Sequence, residues 1–194
     1  MKHLFIYLTL AISIFITNNT QACVGRILTI GTMNANQEKL LAEMMAVIIN
    51  ERTGTTVTIS YFNNKEELYA AVKKGEVSIL IENTDRAMEV LSKKVTGSNS
   101  EIYKSVKEDY RKNLDLVMLD PLGITPSSTK DGDLFYVPII TTEVLTDYPA
   151  LPRVINKLSG VSEDKTFGKM LSAIDSGKKP RGVAKDYLKK KKLI

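Results

Sequence analysis

The chain has 194 residues, a formal net charge of +5, one histidine, one cysteine and no tryptophan. So mild a basic excess, spread along the chain, excludes the concentrated stripe of a nucleic-acid binder. With the histidine (His3) inside a leader-like segment and a single cysteine (Cys23), the remaining chain has no Ser-His-Asp triad, no Cys-His pair, no histidine-containing zinc site and no internal disulfide.

Residues 1–22 read as a signal peptide. Lys2 and His3 form a positive start, Leu4 to Ile16 an apolar core, and Thr20-Gln21-Ala22 a small-residue cleavage site. The core is shorter than the roughly 20 residues a mature spanning helix needs. Cys23 then follows the cleavage point. It is either a free thiol at the new terminus or an acylated lipoprotein anchor, and only the second would hold the chain on a membrane. Thr20 stands where a lipobox normally has leucine. Residues 23–194, about 170, suit one α/β domain.

From Ile27 to Glu82 the pattern is strand, helix, strand, helix, strand, which is two consecutive βαβ units. Ile27 to Ile30 is a short apolar run ended by Gly31, and Asn34 with Gln37 offers a capping-box start. Leu40, Leu41, Met44, Met45 and Ile48 fall at helical spacing, with Glu38, Lys39, Glu43 and Asn50 on the other side. Thr53-Gly54 ends that helix. Val57, Ile59 and Tyr61 alternate as a strand, Asn64 and Glu67 repeat the capping pattern, and Gly75 stops a second helix. Val77 to Ile81 is a continuous apolar run, as expected of a strand covered on both faces.

Beyond Glu82 the spacing predicts a helix opened by Thr84 or Asp85, another capped by Ser100, and a strand over Leu114 to Leu119. A loop-like stretch runs from Thr125 to Gly132, followed by a strand from Leu134 to Ile140. Helical segments then follow at Leu145 to Leu158, broken by Pro149 and Pro152, at Phe167 to Ile174 and at Val183 to Leu188. Lys189 to Lys192 complement the dipole of that last helix.

In open α/β sheets ligands sit beyond the carboxyl ends of the strands. Here that edge carries Thr32, Asn34, Tyr61, Asn63, Glu82, Asn83 and Thr84, which are the candidate ligand-binding residues. Helix starts near Asn36 and Asn64 would add free N–H groups suited to an anionic group such as a carboxylate. Each polar residue has a plainer alternative as a helix cap or strand terminator. No residue is assigned a catalytic role, and neither metal nor cofactor is expected. Glu82, Asp85 and Asp120 could meet as a carboxylate site, though their spacing does not require it. Ser176 to Lys179 matches a Ser-x-x-Lys spacing only within a polar turn.

Several segments resemble the glycine betaine and choline class of ABC-transporter substrate-binding proteins. They are Leu41-Ala42-Glu43-Met44, Glu51-Arg52-Thr53-Gly54, Gly75 to Glu82, Val144 to Leu151, Leu158-Ser159-Gly160 and Val183 to Leu188. The resemblance implies a periplasmic-binding-protein-like (type II) lobe, with a mostly parallel sheet flanked by helices, in an exported protein that delivers a small zwitterionic or anionic solute to an ABC permease. In the family the strand ending in a Pro-x-Gly-like turn crosses into a second lobe of considerable length, and a later strand returns from it. Here Pro121-Leu122-Gly123 is followed by Asp133 to Tyr136 after about ten residues. The implied layout is lobe one at 27–119, a return at 134–194, and a loop at 120–133 where the second lobe, missing or vestigial, would stand. The two crossing strands would form a hairpin. The family's Glu-Tyr-Thr-Gly stands here as Glu82-Asn83-Thr84-Asp85, and the lysine expected after Gly31-Thr32 is Met33. Tyr61, Phe62 and Tyr136 remain as aromatic candidates for a cation. The competing expectation is a single-lobe interaction module or homodimer that has lost solute binding.

Overall fold

The structure, a computed structural model, describes residues 27–94, 97–125 and 134–194. The signal segment, Cys23 and most of the Thr125 to Gly132 stretch lie outside the described residues.

Strands β1 (Leu28–Met33), β2 (Val57–Phe62) and β3 (Ile79–Asn83) are joined by helices α1 (Asn36–Thr53) and α2 (Lys65–Lys73). Both pairings of β1 are parallel, with Ile30 opposite Ile59 on one side and Ile79 on the other. The two βαβ units are therefore present as expected. Helix α3 (Thr84–Val90) and helix α4 (Asn99–Asn113) lead to β4 (Leu116–Met118), β5 (Gly123–Thr125) and β6 (Leu134–Thr141). Strand β6 runs antiparallel to β3, β4 and β5, giving the order β2-β1-β3-β6-β4 with β5 also paired to β6. The two expected crossing strands thus pair on the same sheet, with Val117 of β4 opposite Ile140, and β5, which falls where the sequence reading has a turn, adds Ile124 opposite Phe135. Helices α5 (Thr142–Asp147), α6 (Leu151–Ile155), α7 (Phe167–Asp175) and α8 (Pro180–Lys190) complete the described chain. Pro149 divides α5 from α6, since Tyr148 before it leaves helical geometry (φ −129°, ψ 66°), whereas Pro152 is accommodated in the first turn of α6.

Alternation along the strands sends side chains to two cores. Leu28, Ile30, Ile79, Ile81 and Ile140 pack with α1 and α6 to α8, while Leu80, Val137 and Ile139 pack with α2, α3 and α4. Helix α1 lies between the sheet and α8, so Leu40 to Ile49 is buried almost all round apart from Glu43. Gly31 is where α2 presses closest. A Cβ there would stand 2.7 Å from Leu68 and 2.8 Å from Val77. Gly31→Ala is expected to lower stability by about 1–3 kcal/mol through overpacking, measured by urea unfolding.

The helix starts differ in detail from the sequence reading. Helix α1 is capped at Ala35 with no side-chain bond, because the Asn34 amide extends the β1–β2 pairing to the Phe62 carbonyl at 3.0 Å. Asn64 does cap α2, accepting from the Glu67 amide at 2.8 Å. Asn83, rather than Thr84 or Asp85, caps α3, and Ser98 with Glu101 forms a full capping box at α4 in place of Ser100.

Candidate functional site

Strand β1 connects to β2 on one side, and the chain then passes over to β3 on the other, with α1 and α2 covering opposite faces. The crevice between the carboxyl ends of β1 and β3 is therefore the topological switch point at which α/β sheets bind ligands. A charged cluster of the chain's own residues fills it. The Arg86 guanidinium donates to both Glu38 oxygens at 3.1 and 3.3 Å, to Glu82, and to the Ile81 carbonyl at 3.0 Å. Glu38 also accepts from the Thr32 hydroxyl and the Met33 amide, each at 3.0 Å. Glu82 accepts from the Tyr69 hydroxyl at 2.7 Å and from the Asn83 amide at 2.8 Å, and Tyr69 meets the Tyr110 hydroxyl at 2.5 Å.

The electrostatics follow from burial. Desolvation raises the Glu82 carboxyl above its ordinary range, against the opposing pull of Arg86. Burial pulls Arg86 down, but Glu82 and Glu38 outweigh it and hold the guanidinium firmly protonated. Tyr69 and Tyr110 are both raised, by burial first and then by Glu82. These hydroxyls act as neutral donors.

The seven predicted residues separate into three groups by exposure. Thr32, Glu82 and Thr84 have no exposed surface. The first two belong to the Arg86 cluster, and Thr84 Oγ1 accepts from the Phe135 amide of β6 at 3.3 Å. Asn83 is half-buried and spends its side-chain oxygen on the Arg86 amide at 2.8 Å. Asn34, Tyr61 and Asn63 remain exposed and adjacent at the ends of β1 and β2, with Asn34 Nδ2 3.5 Å from Asn63 Oδ1. Tyr61 is 44% exposed, and Lys39 Nζ lies 5.6 Å from its ring centre, so one cation already meets that ring. Of the other aromatic candidates, Phe62 packs into the core with α2 and Tyr136 is buried on the opposite face. The carboxylates Glu82 and Asp120 do not share a site, since Asp120 accepts from Asn156 Nδ2 at 2.6 Å. Ser176 donates to the Ser172 carbonyl at 2.8 Å.

Glu38, Tyr69, Arg86 and Tyr110 were not singled out by sequence reasoning. The four-residue separation of Glu82 and Arg86 was the one local signal, with Glu82 near the end of β3 and Arg86 in the first turn of α3. Nothing local pairs Glu38 with Arg86.

A family model described as the substrate binding domain of ABC-type glycine betaine transport system matches residues 27–129 and 111–190. The chain belongs to this family. Its two matched segments overlap across β4 and β5, the region that leads into the hairpin. No curated protein matches the chain by sequence. Among solved structures, a glycine betaine/carnitine/choline ABC transporter protein is similar with a TM-score of 0.74 at 13% identity, covering 87% of this chain and 98% of the other. Apo YehZ from Escherichia coli gives 0.70 at 14% identity, covering 87% and 100%. A lactococcal glycine betaine-binding domain, solved in its closed form with glycine betaine, gives 0.51 at 11% identity, covering 86% and 96%. At such identities the likeness is one of fold, a type II periplasmic-binding-protein-like lobe. The family is one of solute-binding domains of transport systems. No helix among the described residues is long and apolar enough to cross a membrane.

Proposed function

We propose that the chain is an exported, periplasmic or extracytoplasmic solute-binding protein of the glycine betaine and choline type, which captures a small osmolyte-like ligand at the strand ends for an ABC permease or for sensing. In this reading residues 27–119 and 134–194 form the surviving lobe, and 120–133 stands in place of the second. The observation that carries it is the open polar trio Asn34, Tyr61 and Asn63 at the β1–β2 end of a sheet belonging to a solute-binding family. Lys39 against the Tyr61 ring adds a cation for the carboxylate end of a zwitterion. Helix α1 begins beside the trio without a side-chain cap, which suits the carboxylate end.

One open face buries less of a ligand than a closed clamp, so affinity is expected to be weak. Calorimetric titration with glycine betaine, choline, carnitine and proline should give a dissociation constant of about 1 mM, or roughly 4 kcal/mol, for at least one of them. Asn34→Ala with Asn63→Ala should weaken it severalfold. Silence from all four solutes well above that concentration would refute small-osmolyte binding.

A second reading, an interaction module or homodimer, draws on the withdrawal of Thr32, Glu82 and Thr84 into the interior and on the exposure of Tyr61 (44%) and Ile124 (38%). Analytical sedimentation at micromolar concentration separates the two. A monomer that gives heat with solute supports the first, and a dimer silent to solute supports the second.

A further inference from the structure

We propose that the groove between α7 and α8 binds a single-tailed alkyl anion, a fatty carboxylate or its lipid equivalent, through an apolar floor ringed by four uncommitted lysines. Helix α7 turns Phe167, Met170 and Ile174 inward, and α8 turns Ala184, Tyr187 and Leu188 inward. Met170, Ala173, Val183 and Tyr187 line a cavity of about 490 Å³ between the two helices. That volume lies within the range of small-molecule sites, roughly 300–1,000 Å³.

The rim decides the class of ligand. Lys169, Lys178, Lys179 and Lys190 surround this floor, opposed on the rim by Asp186. Three other cations of this region are paired: Arg181 with Glu43 at 3.3 Å, Lys185 with Glu51 at 3.0 Å and Lys191, just past α8, with Asp164 at 2.6 Å. The four rim lysines have no ion-pair partner among the described residues. An apolar floor inside a rim of four lysines against one carboxylate matches a molecule with one anionic end and one hydrocarbon end. Lysine stems can lie along such a chain while their ammonium groups hold the head. The groove shares no residue with the strand-end site, so it stands or falls separately from the solute reading.

Gly182 gives the groove a clean block, because it lines the cavity and a Cβ built on it meets nothing within 4 Å. The test uses the whole protein, titrated below the micellar concentration with decanoate and with decyltrimethylammonium and followed by amide chemical shifts. Decanoate should bind saturably, at least about tenfold tighter than the cation, with shifts at Ala173, Gly182 and Val183. Both Gly182→Phe and the combined Lys169→Glu, Lys179→Glu, Lys190→Glu variant should lose that binding. Equal affinity for the two head groups, absence of saturation, or decanoate binding unchanged by Gly182→Phe would overturn the proposal. Co-sedimentation with phosphatidylglycerol vesicles distinguishes the sources. Vesicle binding abolished by Gly182→Phe identifies a membrane lipid as occupant. Vesicle binding that survives Gly182→Phe while decanoate fails to saturate means a flat electrostatic surface and no groove.

Discussion

Arg86→Met is expected to lower the free energy of unfolding by roughly 3–5 kcal/mol at pH 7, the usual consequence of leaving buried charge without its partner. Total domain stability is only about 5–15 kcal/mol, so the variant should lie close to unfolding. The reason is specific to the switch-point crevice. Glu38 and Glu82 are both buried, and Arg86 is the cation between them. The pH dependence gives the effect a signature. Burial already raises the folded-state value of Glu82 in the native chain, and Arg86 is the largest influence lowering it. Removing Arg86 raises it further. A carboxyl whose folded value exceeds its unfolded one binds more protons when folded, so stability declines as pH rises from about 4.5 through the folded value. The Arg86→Met deficit should therefore shrink as pH falls toward about 5. Adding Glu82→Gln should recover part of it at neutral pH. Arg86→Lys should fall between, because it keeps the charge but loses the fork that reaches Glu38, Glu82 and the Ile81 carbonyl together. Urea denaturation across pH 5–8 measures all of these.

Gly123→Ala is the second large effect expected, roughly 2–4 kcal/mol, from backbone strain combined with overpacking. Gly123 opens β5 at φ +125°, where side-chain-bearing residues are strained, and an added Cβ would lie 2.2 Å from Ser162 Oγ and 3.2 Å from the Ser162 backbone nitrogen. That closeness is how the hairpin is fastened to the rest of the lobe. The Ser162 amide donates to the Leu122 carbonyl at 2.9 Å, its hydroxyl to the Ile124 carbonyl at 3.1 Å, and the Gly160 amide to the Pro121 carbonyl at 3.1 Å. Pairing Gly123→Ala with Ser162→Gly should relieve the hydroxyl contact but not the φ, recovering about half the loss. Hydrogen exchange should report the remaining damage at Ile124 and Phe135, the paired residues of β5 and β6, more than at β1 and β2.

The two βαβ units were legible because their signals are local. Apolar periodicity, Gly54 and Gly75 in left-handed conformations, and the Asn64 cap all act within a few residues. The pairing of the two crossing strands came from the family resemblance, and β5 was not legible because three residues starting on the glycine of a Pro-x-Gly turn carry no strand pattern of their own. The strand-end site was legible as a place but not in its chemistry. Glu38 was assigned to a polar helix face because a sequence window cannot see Arg86 48 residues later. Glu82 and Thr84 read as open hydrogen-bonding groups, yet a partner on the next helix claims one and the β6 backbone claims the other. Asn34 failed as a cap because pairing with β2 held the chain extended one residue longer than the composition implied. In each case a long-range partner took up a group whose local pattern had two uses.

The most direct measurement of the central claim is a titration of the labelled protein with glycine betaine, choline, carnitine and proline, followed residue by residue through its amide resonances. A solute-binding lobe predicts, for at least one of them, saturable shifts concentrated at Asn34, Asn36, Tyr61 and Asn63, with the α7–α8 groove unmoved. Resonances that stay in place with all four solutes, or saturable shifts confined to residues away from the ends of β1 and β2, would contradict it.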